Sequence, residues 1–265
     1  MFIPRPRPRI EALLIATMLG TSLAAEMRVA PNAGAPAVNQ LSISGNACGP
    51  AALLASFRCG NQAWQRASTA LAGTTDREQL RHWIRHHGAR PSTTLKGRLR
   101  WSANGINVED LVAAANEMNR PLFLPPLLHD DLFLRSGEKP EALLRRTRER
   151  FDRSLDKGIP PILSLRRFVL RKGAWTAVQG HFVTVTAVPR KLARGESAFT
   201  FHYLDPWGGK RCEGTLGLPR QTILAQAGQT PPCLEAVVPA ALIGSSTVRR
   251  GEITAVVPAA VIGRW

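Results

Sequence analysis

The spacing of apolar positions along the chain changes at Gly158, from helical before it to strand-like after it. From Gly49 onward the run PAALLASF is helix-compatible. Pro50 is tolerated there because first-turn N–H groups lack helical partners. Thr75-Asp76-Arg77-Glu78 forms a capping box for the helix REQLRHWIRHH, which Gly88 ends. Asn107-Val108-Glu109-Asp110 repeats that logic for VEDLVAAANEM, whose Leu111, Ala114 and Ala115 make a small apolar stripe. A further helix spans about Lys139 to Asp156. Leu143, Leu144, Phe151 and Leu155 supply its apolar face, and Arg145, Arg146, Arg148, Arg150 and Arg153 a basic one that reads as solvated. Beyond Gly158 come three β-rich runs, PPILSLRRFVL, HFVTVTAVP and SAFTFHYLD, separated by basic or Gly-containing turns. In HFVTVTAV, Phe182, Thr184 and Thr186 alternate with Val183, Val185 and Ala187. Helices first and an antiparallel sheet after them predict an α+β fold.

The two ends of the chain have patterns of their own. Three arginines precede an apolar run from Ile10 to Leu23, and Ser22-Leu23-Ala24 fits a small-x-small cleavage site. Residues 1–24 therefore read as an export signal, with a short uncleaved anchor as the rival, and imply a periplasmic or secreted protein. No second long apolar run follows, so no spanning segment is expected in the mature chain. Residues 25–37, rich in Pro, Ala and Asn, read as an extended lead-in. Near the other end AVVPAALIG (236–244) recurs as AVVPAAVIG (255–263). The copies read as two similar strands placed at an edge by Pro239 and Pro258, or as a C-terminal extension over residues 236–265.

Composition and charge narrow the function classes. With 265 residues, 44% hydrophobic and 20% charged, the chain has the make-up of a globular protein. A formal net charge of +16 favours contact with anionic surfaces, without naming one. No nucleic-acid recognition element accompanies it, so nucleic acid is not an expected partner. Four cysteines, at 48, 59, 212 and 233, are too sparse for a disulfide scaffold. Metal-site spacings such as CxxC and HExxH are absent, and no cofactor is implied.

Candidate chemistry starts at GNACGPAALL, which sets Cys48 at a helix entrance where unpaired N–H groups and the dipole favour thiolate. Its own amide is placed to serve an oxyanion, and Gly49 leaves room for a substrate backbone. A small buried cysteine at a turn is the competing reading. Among six histidines, His82, His86 and His87 read as surface, His129 as a loop residue and His202 as a sheet residue. His181 differs: it follows Gly180 and begins a rigid strand. Asp205 ends the next strand at the turn DPWGG, where it is either a turn-forming residue or the group that orients His181. Trp207 in that turn reads as packing beside the site rather than stacking on substrate.

Taken in this order, NACGPAALL, GHFVTVTAV and YLDPWGG resemble the papain-like cysteine peptidases of the bacteriocin-leader-peptidase group, over about residues 38 to 210. The resemblance implies a papain-like cysteine peptidase fold, its N-terminal helical part packed on the sheet. It further implies Cys48 as nucleophile, His181 as base and Asp205 as orienter. A glutamine before the cysteine donates to the oxyanion in that group; Gln40 is the counterpart here, eight residues ahead of Cys48. On this footing residues 38–235 form the domain, with residues of about 74–129 as a helical insertion that covers substrate. If Cys48 stays a thiol, a bridge to Cys59 within one straight helix is excluded, because eleven residues span roughly 16 Å. Cys212 and Cys233, flanking a Gly- and Pro-containing loop, are then the expected disulfide, and Cys59 is a buried thiol.

The implied activity is a thiol-dependent hydrolase acting on a peptide or protein. Two alternatives stand beside it. One is an acyltransferase or cell-wall peptide amidase using the same site. The other is a catalytically silent papain-like domain that binds a partner through its arginine-rich helix. Oligomeric state leaves no mark on the sequence.

Overall fold

The computed structural model describes residues 26–226 and 228–265; the export signal expected at residues 1–24 lies outside the described residues. A short strand, β1 (Met27–Val29), precedes four helices: α1 (Cys48–Cys59), α2 (Gln62–Thr69), α3 (Asp76–Trp83) and α4 (Val108–Asn119). Strand β2 (Leu128–Asp131) and helix α5 (Pro140–Asp156) come next. The chain then builds β3 (Ile162–Arg171), β4 (Ala174–Pro189), β5 (Ala198–Asp205), β6 (Lys210–Gly217), β7 (Glu235–Val237) and β8 (Thr254–Gly263). The strands form one eight-stranded sheet in the order β2-β8-β3-β4-β5-β6-β7, with β1 also paired to β4, and every pairing is antiparallel. The class is α+β, as the change of period predicts.

Local signals account for most element ends. Thr75 and Glu78 form the expected capping box on α3, and the Asn107 side chain accepts the Asp110 N–H at 2.7 Å on α4. Helix α3 stops at Trp83; Ile84–Gly88 continues as a wider π-turn in which Gly88 is pressed between Trp83 and Trp101. Helix α2, which the apolar pattern does not announce, is capped by Asn61 and anchored by Trp64 stacked on Phe57. Between β3 and β4 a two-residue turn uses Lys172 and Gly173, both at positive φ (50° and 77°), the conformation that matches strand twist in a tight hairpin.

Strand β4 is buried on both faces along its second half, so its Thr/Val alternation does not mark a wet side. Thr184 Oγ1 donates to the Ala52 carbonyl of α1 at 2.8 Å on one face. On the other, Phe151 of α5 packs against Phe199 and Phe201 of β5. Helices on both sides of a strand that carries His181 hold that residue rigidly. The lead-in is likewise fixed: Arg211 donates to the carbonyls of Ala33 and Ala35, and Arg28 pairs with Asp152 at 2.5 Å and Asp156 at 2.7 Å on α5.

Two expectations are corrected. The second copy of the tail repeat is neither an edge strand nor an extension: it is β8, which lies between β2 and β3 inside the sheet. Pro258 is accommodated by a bulge, since the register slips where it faces Leu165 and leaves Ala259 unpaired with β3. The first copy forms only β7 before turning away at Pro239. The second correction concerns Cys212 and Cys233, which do not pair; all four cysteines are free. Cys212 lies on β6 opposite Tyr203 and packs on the main core. Cys233 belongs to a separate small cluster with Phe168, Ile223, Ala255 and Val257.

Candidate active site

Cys48 is the first residue of α1 and is half-buried. Nothing caps the helix through a side chain, because the residue before it is Ala47. Its first amides therefore point at the cysteine and the space above it. Asn46 does not cap either. Its Nδ2 donates to the Ser102 carbonyl at 2.7 Å and its Oδ1 meets the Ser44 hydroxyl, so it ties the turn before Cys48 to the loop after α3. Gly49 leaves room for a close approach, but by Ile106 rather than substrate: a Cβ on Gly49 would lie 2.4 Å from Ile106 Cγ2.

His181 and Asp205 meet as the adjacent strands predict. His181 Nε2 and Asp205 Oδ1 are 2.8 Å apart, and both residues are buried. The same Oδ1 accepts the Trp207 N–H at 2.8 Å. Asp205 thus holds the DPWGG turn and the imidazole with one atom, so the turn-forming and orienting readings are both satisfied. With Nε2 engaged by Asp205, Nδ1 is the ring nitrogen left over, and the Cys48 thiol interacts with the His181 ring. Such contacts commonly tighten only when substrate engages.

The electrostatics follow from this contact. Burial pushes the Cys48 thiol up, but the His181 ring, its charge and the Phe182 and Gly49 amides outweigh that and hold it below its ordinary value. Burial pushes His181 down; contacts with Asp205 and Cys48 win and raise it to about 9. Both shifts run toward the charged forms, thiolate for Cys48 and imidazolium for His181.

Gln40 lies on a short 3-10 turn, Gln40–Ser42, fully buried and outside the cleft lining. Its Nε2 donates to the Gly45 carbonyl at 2.7 Å, and its backbone N–H to Pro206 at 2.9 Å. An amide nitrogen carries two hydrogens, and the bond to Gly45 uses one. Trp207 packs against Gly45, at 3.4 Å from where its Cβ would lie, and is not a cleft residue.

Cys48 and His181 open onto a cleft of about 580 Å³. Residues 103–109, within the stretch expected to cover substrate, form one wall. Ser164 and Arg166 of β3, Val178 to Phe182 of β4, Asp131, and Ala259 and Ala260 at the β8 bulge form the other side. Sequence reasoning missed Glu109, Asp131, Ser164 and Arg166 as cleft residues. Asp131 and Ser164 come into one row only through β8, which inserts between β2 and β3, and no local motif signals that. The five remaining histidines are outside the cleft lining: His82 and His86 stack on each other, His87 lies 3.7 Å from Glu117, His202 lies 3.5 Å from Glu213, and His129 lies on β2 rather than in the expected loop.

Among the described residues no cluster of three metal-ligating side chains occurs, and no helix is long and apolar enough to cross a membrane. Compared with known proteins, the chain has no match among family models, curated proteins or solved structures.

Proposed function

We propose that the protein is a thiol-dependent hydrolase of papain-like fold that cleaves a peptide bond through an acyl-enzyme. One observation carries the reading: Cys48, at an uncapped helix start, meets an imidazole whose far nitrogen is held by Asp205, at the edge of an open cleft. The ordered motifs around these three residues, which resemble those of the bacteriocin-leader peptidases, support it. Action in the periplasm or outside the cell is part of the proposal and rests on residues 1–24 alone.

In this reading the Cys48 thiolate attacks the carbonyl carbon, and the carbonyl π electrons move to oxygen. The Cys48 N–H receives that oxyanion. The intermediate collapses with cleavage of the C–N bond, and His181 gives its proton to the leaving amine. Now neutral, His181 deprotonates a water that attacks the thioester. Release of the acid restores the thiolate and the imidazolium.

The test has two arms. Iodoacetamide labelling across pH should alkylate Cys48 well below the free-thiol value of about 8.5, and Cys59 only far above it. An internally quenched peptide library, followed by mass spectrometry, should show hydrolysis by the wild type and none by Cys48→Ala. Equal labelling of the two cysteines would sink the nucleophile assignment. Conversion only when an amine acceptor is added would replace hydrolysis with acyl transfer.

A further inference from the structure

The cleft is distinguished by its carboxylates. Lysine and arginine number 35 against 19 aspartates and glutamates, so almost any surface carboxylate has cations to meet. Among the described residues every Asp and Glu side chain but three accepts a hydrogen bond or ion pair from another group. The exceptions are Glu109, Asp131 and Glu141, and the first two line the cleft beside Cys48 and His181. Asp130 shows the contrast: it is held by Arg135, Arg146 and Arg150, while its neighbour Asp131 faces the cleft with no side-chain partner.

Ser164 is an independent pointer. It is only 9% exposed, lines the cleft, and its hydroxyl has no hydrogen-bond partner. Through the sheet register Asp131 faces Ala260 and Ala260 faces Ser164, so the three share one row across β2, β8 and β3. Arg166 also lines the cleft, but in a protein with surplus cations an unpaired arginine carries little information. It stands opposite Gly180, next to His181, two strands over and two residues along from the Asp131 row, so about 12 Å from Asp131.

Building on the hydrolase reading, we infer that the cleft selects a peptide carrying a lysine or arginine side chain beside the cleaved bond. Asp131 and Glu109 supply the opposing charge, and the Ser164 hydroxyl accepts a hydrogen bond from the cationic head. The preference runs against the rest of the molecule, whose net charge of +16 attracts acidic peptides. That opposition makes the inference easy to break.

The probes are fluorescent alanine–glycine octapeptides carrying one lysine, norleucine or glutamate at each position in turn. Binding is measured by anisotropy on the Cys48→Ala protein, so the result does not depend on turnover. A lysine peptide should bind about tenfold tighter than its norleucine and glutamate counterparts, at one or two adjacent positions only. Glu109→Gln with Asp131→Asn should erase that preference, with melting temperature as the check on folding. Glu141→Gln, the unpaired carboxylate outside the cleft, should leave it intact. Equal affinities, absence of binding by every lysine peptide, tighter binding of the glutamate series, or a preference that survives the double substitution each overturn the inference. Hydrolysis of the same peptides by the wild type is scored separately. A lysine preference without hydrolysis removes the hydrolase reading and leaves the cationic subsite standing.

Discussion

Cys48 and Cys59 open and close the same helix, α1, yet their thiols are shifted in opposite directions. Cys59 is fully buried and Cys48 half-buried, and loss of water raises both thiols. For Cys59 burial dominates and pushes the value up to about 11, with the charges of Arg211 and Arg58 only partly offsetting it. For Cys48 the same penalty is overcome by His181 and by the amides of Phe182 and Gly49. Position on the helix adds to the difference, since the amide end favours an anion and the carbonyl end opposes one. Residue type alone therefore does not set the direction of the shift; burial, the end of the helix and a charged partner together separate the two thiols.

The bluntest way to break this contrast is alanine at each position. Cys48→Ala should lower hydrolysis by at least about ten-thousand-fold, as loss of a nucleophile does elsewhere. Cys59→Ala should stay within about twofold and cost on the order of 1 kcal/mol of stability in urea unfolding. Loss of turnover in the Cys59 variant would show that the wrong end of α1 was assigned. Removing the partner instead of the thiol is the next largest effect. In His181→Ala the burial penalty on Cys48 stands unopposed by the ring. Its alkylation midpoint should move from below to above about 8.5, toward the behaviour of Cys59. Mass-spectrometric labelling of both cysteines in one digest measures this directly, and an unmoved Cys48 midpoint would make the helix start alone responsible.

How much of this contrast can be read from sequence depends on how local its causes are. The helix entrance at Cys48, the strand at His181 and the turn at Asp205 each have a short pattern, and the structure brings them together. Asp205 was ambiguous between turn and orienter because one oxygen serves both. The tail repeat marks the opposite limit. AVVPAALIG and AVVPAAVIG are nearly identical, yet one leaves the sheet after β7 and the other becomes the interior strand β8. What decides between them is available edge: β3 has an open side that β8 fills, and the β3 register yields a bulge for Pro258. No property of the nine residues contains that information. The far side of the cleft inherits the same opacity, since Asp131, Ala260 and Ser164 align only once β8 is inserted. The Cys212–Cys233 expectation failed for a related reason: closeness around a loop in sequence says nothing about which packing cluster each sulfur joins.

Asp205→Asn sharpens the comparison from the partner's side. Asparagine keeps an oxygen for the Trp207 N–H, so the turn is preserved while the charge is lost. Asp205 contributes to raising His181 to about 9, so its removal lowers that value. If the proposed hydrolysis requires the imidazolium proton, its profile should have an alkaline limb near 9 in the wild type, and that limb should fall to lower pH in the variant. The plateau of kcat/KM should drop about a hundredfold through the wrong tautomer. An alkaline limb that stays in place would remove Asp205 from the site and leave it as a turn residue.

The smallest effect tests how bare the reactive end of α1 must be. Gly49→Ala places a methyl 2.4 Å from Ile106 Cγ2, so Ile106 and the wall it belongs to must shift. Alanine's better helix propensity opposes the overpacking, leaving a net cost of about 1–2 kcal/mol. Because the groups that stabilise the thiolate are backbone amides and His181, the pH midpoint of Cys48 alkylation should not move. Peptide kcat/KM should fall about threefold to tenfold as the wall is displaced, which amounts to about 1 kcal/mol in the transition state. Adding Ile106→Ala removes the clash, so the double variant should be more stable than the sum of its singles predicts. Strict additivity in urea unfolding would mean that Ile106 does not press on the helix start. The room at Gly49 would then be free for substrate after all.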